Sequence, residues 1–178
     1  MSALFDLSGK TALITGASKG MGLSMATALA EHGANVVISS RKQNELDEAA
    51  AKINDDIGRN CAIGIASNIG DKNMVKDLVA QTKDKVGPIN VLVGNAGVNV
   101  HYGSTHEIPD EAYEKIMSAN VQSQLWLARE AHGQMVVQGG GSMMFTSSVG
   151  AFHASDAIGT YCVSKLALMG VIRNLATE

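Results

Sequence analysis

The chain has 178 residues, 46% of them apolar and 17% charged, which is an ordinary globular composition and length enough for one substantial core. A formal net charge of −3 gives no reason to expect a nucleic-acid partner. Two cysteines, Cys61 and Cys162, make neither a disulfide framework nor a zinc site, so both are expected in or near a core, in a reducing compartment, and no metal is expected.

Met1 to Lys10 lacks the charged start and apolar stretch of a secretory leader, and no apolar run is long enough to cross a bilayer. The expectation is a cytoplasmic protein with no membrane partner. Thr11 to Thr15 is the first strand candidate, followed by a glycine turn that opens a helix. Val36 to Ser39 is the second strand, and Gln43 to Ile57 a helix closed by a glycine turn. Cys61 to Ala66 and Ile89 to Val93 are strands on either side of a helix over Asp71 to Val86. Tyr113, Ile116, Met117, Val121, Leu125 and Ala128 form one helical stripe. Ser142 to Thr146 is the fifth strand, and a last helix starts near Tyr161 and runs without a stop signal to Glu178. Strands alternating with helices imply a parallel sheet covered on both faces, a doubly wound α/β (Rossmann-type) fold with strand order 3-2-1-4-5. Ligands of such sheets sit beyond the carboxyl ends of the strands. Residues 1–178 are expected to form one dinucleotide-binding and catalytic domain, and the open helix suggests that this domain is incomplete at its C-terminal end, with further strands missing.

The turn runs Thr15-Gly16-Ala17-Ser18-Lys19-Gly20-Met21-Gly22. Gly16 permits a tight turn, Gly20 lets the backbone approach a pyrophosphate, and Gly22 allows helix to pack on strand. Exposed N–H groups at the positive end of the helix then face the phosphates. The spacing is G-x-x-x-G-x-G, and Lys19 precedes Gly20 with no Ser or Thr where a magnesium ligand belongs, which disfavours nucleoside triphosphate hydrolysis. An NAD site usually carries Asp or Glu about 20 residues further on, to bind the ribose 2′-hydroxyl. Ser39-Ser40-Arg41-Lys42 holds no acid there. Ser40 and Arg41, with Lys19 reaching from the turn, suit a 2′-phosphate instead, so NADP(H) is the expected cofactor.

Tyr161 and Lys165 share one helix face at i, i+4 spacing. A free phenol titrates at about 10, and an ammonium beside it favours the phenolate. Tyr161 is thus a candidate acid/base for a substrate oxygen, with the Ser148 hydroxyl placed to bind the same atom.

The segment Thr15 to Gly22, Asn95-Ala96-Gly97, Asn120, Ser148 and the Tyr161/Lys165 pair together resemble the short-chain dehydrogenase/reductase family. The likeness covers nearly the whole chain in order, including the step of thirteen residues from Ser148 to Tyr161. It implies hydride transfer between NADP(H) and a carbonyl or secondary alcohol. Ser148 would orient the substrate, Tyr161 act as acid/base, and Lys165 bind the nicotinamide ribose. Asn120 would help to hold a water-linked proton relay. Ser18, Met21, Asn68, Ile69 and Asn95 to Gly97 would join the glycines, Lys19, Ser40, Arg41, Tyr161 and Lys165 in binding cofactor. The family also implies a homo-oligomer, tetramer or dimer, built on the fourth and last helices. Gly94 stands where many relatives have a second asparagine, and Asn68 where an aspartate is common. Two other functions remain: an inactive NADP(H)-binding module or subunit, and a sugar-nucleotide epimerase, which the glycine spacing fits less well. His153, close behind Ser148, is a candidate for the substrate pocket wall.

Overall fold

The computed structural model describes residues 3–178. Five parallel strands, β1 (Thr11–Thr15), β2 (Asn35–Ser40), β3 (Ala62–Ala66), β4 (Ile89–Gly94) and β5 (Ser142–Phe145), form one sheet in the order β3-β2-β1-β4-β5. β1 is central because each of its residues is buried, as a strand covered on both faces must be. Alternation splits its side chains between two cores. Ala12 and Ile14 join Val36, Ile38 and Val93 under α1 (Gly20–Glu31) and α2 (Gln43–Ile57). Leu13 joins Val37 and Leu92 under α3 (Lys72–Lys85) and α5 (Ser123–Val137). Cys61 and Cys162 are buried free thiols. Among the described residues no helix is long and apolar enough to cross a membrane.

Helix ends follow local chemistry. Gly58 closes α2 in the left-handed region at φ 72°, which glycine adopts without a Cβ penalty. Asp71 opens α3 by accepting from the backbone N–H groups of Asn73 and Met74. α6 spans Gly159–Leu175, so the helix expected to run on to Glu178 ends sooner. The Ala176 N–H donates to Ile172 O and the Thr177 hydroxyl to Asn174 O, a local closure that needs no glycine.

The stripe expected after Ile108 is three pieces: α4 (Asp110–Met117), a π-helical turn at Ser118–Gln122, and α5. Tyr113, expected on the inner face, is 44% exposed. The face turned inward carries Ile116, Asn120, Ser123, Gln124, Leu127 and Ala131. Its middle is polar, so apolar periodicity alone picked Val121 and Leu125, which are only partly buried.

β1 leads into α1 on one face of the sheet, and β4 leads toward α5 on the other. Their carboxyl ends diverge into a crevice, as at the switch point of any doubly wound sheet.

Candidate active site

A cleft of about 840 Å³ opens over the carboxyl ends of the strands. Gly16, Ser18, Lys19, Met21 and Gly22 form its glycine-turn wall. Gly16 has φ 64°, and a Cβ on it would lie 2.8 Å from Ala96 Cα. A Cβ on Gly22 would run into Gly16 O and the Asn95 amide. Both glycines are thus required by close packing of turn, helix and β4. Gly20 differs: it has φ 61° with open space around it, and it does not line the cleft. It is there for backbone conformation. Lys19 makes no side-chain cap at the start of α1, which leaves first-turn N–H groups at the cleft available to an anion.

At the far end Ser40, Arg41, Asn68 and Ile69 line the same cleft. Asn68 Oδ1 is occupied by the Gly70 N–H at 3.1 Å. One residue here escaped sequence reasoning. Glu45, in the first turn of α2, lines the cleft and pairs with Lys42 at 2.6 Å. The hydrogen bond from Lys42 holds its carboxyl below the usual range, and the charges of Lys42, Lys19 and Arg41 act the same way. An NAD site carries its Asp or Glu at the end of β2; this one stands in the first turn of the following helix.

Asn95, Ala96 and Gly97 form the floor. The Asn95 amide donates to Thr15 O and Gly16 O, each at 3.1 Å, and its oxygen accepts from the Thr146 hydroxyl at 3.1 Å. One side chain thus ties the ends of three strands together.

A smaller recess of about 400 Å³ adjoins the cleft and shares Met21, Asn95, Gly97 and Val98 with it. Tyr161 and Lys165 line it. Lys165 Nζ stands 5.6 Å from the centre of the Tyr161 ring and donates to Thr146 O at 2.8 Å. Lys165 is only 4% exposed, and burial pushes its pKa down. Thr146, Ser147, Tyr102 and Ile158 are further walls. Tyr102 and Ile158 come from loops joined by the Gly103–Ile158 bridge; nothing in their sequence marked them, since loop neighbours across the fold leave no periodic trace.

Two of the expected catalytic residues are not among the walls of either space. Asn120 is fully buried, and its amide is fully used: Oδ1 accepts from Val98 N at 2.7 Å, while Nδ2 donates to Val98 O and Ser164 Oγ, both at 2.9 Å. Ser164 Oγ in turn donates to Tyr161 O at 2.7 Å. Asn120 therefore connects the loop below the recess to the helix bearing Tyr161. Ser148 Oγ accepts from Gly150 N at 3.1 Å, which leaves its own proton free to donate. Ser148 follows Thr146 and Ser147 along the recess without lining it. His153 is exposed and also lies off the recess.

A glycine turn at a strand–helix junction, a backbone floor and a Tyr–Lys pair beside it thus share one crevice. A family model described as short chain dehydrogenase matches residues 10–178. "Dehydrogenase/reductase SDR family member 4" from Sus scrofa is 37% identical over 173 residues, 97% of this chain and 61% of the relative. The protein of the same name from Caenorhabditis elegans is 37% identical over 168 residues, 94% of this chain and 64% of the relative. The chain thus spans about three fifths of the length of these relatives. Among solved structures, a short-chain type dehydrogenase/reductase from Mycobacterium marinum superposes with TM-score 0.92 at 33% identity, covering 98% of this chain and 68% of that one. L-sorbose reductase from Gluconobacter frateurii, in complex with NADPH and L-sorbose, superposes with TM-score 0.92 at 31% identity, covering 97% and 65%. With the sheet order, the crevice and matches over nearly its full extent in agreement, the chain belongs to the short-chain dehydrogenase/reductase family.

Proposed function

We propose that the protein is an NADP(H)-dependent oxidoreductase that interconverts a carbonyl and a secondary alcohol, with Tyr161 as the acid/base. The observation that carries this is the buried Lys165 ammonium 5.6 Å from the Tyr161 ring, in a recess continuous with the glycine-turn cleft. The cofactor fits the residues present. Gly16 and Gly22 let the turn pack tightly against α1 and the floor, and the open N-terminus of α1 suits a pyrophosphate. Ser40, Arg41 and Lys19 suit a 2′-phosphate, while Asn68, Ile69 and Asn95 to Gly97 complete the walls. The NADPH in the L-sorbose reductase structure supports the same choice. When bound, the nicotinamide gives or takes the hydride.

In the reducing direction the Tyr161 phenol gives its proton to the substrate oxygen as charge develops there. The Lys165 ammonium stabilises the phenolate left behind, and its remaining N–H groups are free for ribose hydroxyls. The Ser148 hydroxyl, already accepting from Gly150, donates to the same substrate oxygen. Asn120 keeps the Val98 loop and the Tyr161 helix in register. Oxidation runs these steps in reverse. Outward apolar side chains on α5 and α6, such as Val137 and Leu166, support a homo-oligomer, tetramer or dimer.

The test is Tyr161→Phe, assayed by NADPH absorbance over a panel of ketones and aldehydes. The rate should fall by about 10²–10⁴-fold with NADPH affinity kept. Turnover equal to the wild type would rule out the acid/base role.

A further inference from the structure

We propose that Gln124 is a positioning residue for the cofactor floor: its amide fixes the carbonyl of Ala96 from behind, and Gly94 is the residue that leaves room for it. The inference rests on the NADP(H)-binding reading above. Gln124 is 1% exposed, at the start of α5 behind the floor. Its Nε2 donates to Ala96 O at 3.0 Å, and its other hydrogen is shared between Ser123 Oγ at 3.1 Å and Ala119 O at 3.5 Å. Ala96 and Ala119 present carbonyls, which only accept, so the NH₂ end must face them.

That orientation turns Oε1 toward Gly94, where it finds no hydrogen-bond partner. A Cβ on Gly94 would collide with Oε1 and lie 2.5 Å from Phe145 Cδ1. An unpaired buried acceptor is costly, and leucine would fill a similar volume without that cost. The amide is explained by what its N–H holds. Ala96 is pinned on its other sides as well: its N–H donates to Thr15 Oγ1 at 3.2 Å, and its Cα abuts Gly16. The Gln124 bond therefore sets the spacing between the floor and the glycine turn, the two walls of the cleft.

Two variants test this by isothermal titration with NADPH, alongside melting temperatures. Gln124→Leu leaves Ala96 O unpaired and should weaken NADPH about tenfold. Gln124→Glu adds a readout that a merely structural role would not move. The atoms the side chain meets, from Gly94, Ala96, Ala119, Ser123 and Phe145, do not ionise. Burial raises a carboxyl pKa, so at pH 6 the protonated group still donates to Ala96 O, and affinity should stay close to that of the wild type. By pH 8.5 the carboxylate faces two carbonyls, and affinity should fall about tenfold relative to wild type at the same pH. Affinity of the Leu variant within twofold of wild type, or a Glu variant whose affinity tracks the wild type across pH, overturns the positioning role. If the Leu variant does not fold, the pH dependence of the Glu variant decides. Wild-type protein that fails to bind NADPH would sink the cofactor reading itself, and this inference with it; normal wild-type binding with indifferent variants sinks only this one.

Discussion

Replacing Asn120 by leucine is a demanding check on the site, because the side chain is fully buried and similar in size to its replacement. Three hydrogen bonds disappear: those to Val98 N, Val98 O and Ser164 Oγ. Each is worth about 1 kcal/mol net, and orphaning the partly buried Val98 groups adds to that, so the loss should be about 3–4 kcal/mol. That is a large share of the ~5–15 kcal/mol typical of a folded chain. At about 2–4 °C per kcal/mol for a chain of this size, the melting temperature should drop by about 6–16 °C. Thermal unfolding followed by circular dichroism, with and without NADPH, measures it. The cofactor should also stabilise the variant less than the wild type, since Val98 lines both recesses. A shift below about 2 °C, with NADPH protection unchanged, would refute the role given to Asn120 as the link between loop and helix.

Removing the Arg41 guanidinium with Arg41→Ala should weaken NADPH about ten- to a hundredfold and leave NADH within about twofold, as read by titration; equal effects on both would contradict a 2′-phosphate site. Glu45→Gln frees Lys42 and removes a carboxylate from that end of the cleft, so NADPH should bind about two- to fivefold tighter, and unchanged binding would show that Glu45 stands clear of the phosphate. Burial lowers the pKa of Lys165, so between the folded value and the ordinary 10.5 the unfolded chain holds a proton that the folded chain does not. Stability tied to this group therefore rises with pH in that window, and wild type should gain on Lys165→Met as the pH is raised from 7 toward 10 in paired urea titrations. A constant difference would mean that Lys165 titrates normally.

Much of the architecture was legible because it is written in local patterns. β-branched runs such as Thr11–Thr15, glycine stops and the spacing of Gly16, Gly20 and Gly22 each act over a few residues. α2 lies where periodicity put it, at Gln43–Ile57. The pairing of Tyr161 with Lys165 was legible for the same reason, being one helical turn. What escaped depends on distant partners or on polar burial. Gln124 sits where a core stripe should be apolar, because its amide binds loop backbone. Glu45 reaches the cleft only because the first turn of α2 starts beside it. Tyr102 joins the recess through a loop-to-loop bridge that no sequence window contains.

The five-residue π turn at Ser118–Gln122 makes the length of that segment as informative as its composition. A π turn holds about one residue more than an α turn for nearly the same rotation, so deleting one residue there would let the chain wind as a regular helix while Gln124, Leu127 and Ala131 keep their inward face. The same deletion inside α4 or α5, where each residue turns the chain by about 100°, would swing everything after it off its present partners. Natural variation along these helices should therefore place a one-residue gap at the π turn and substitutions elsewhere.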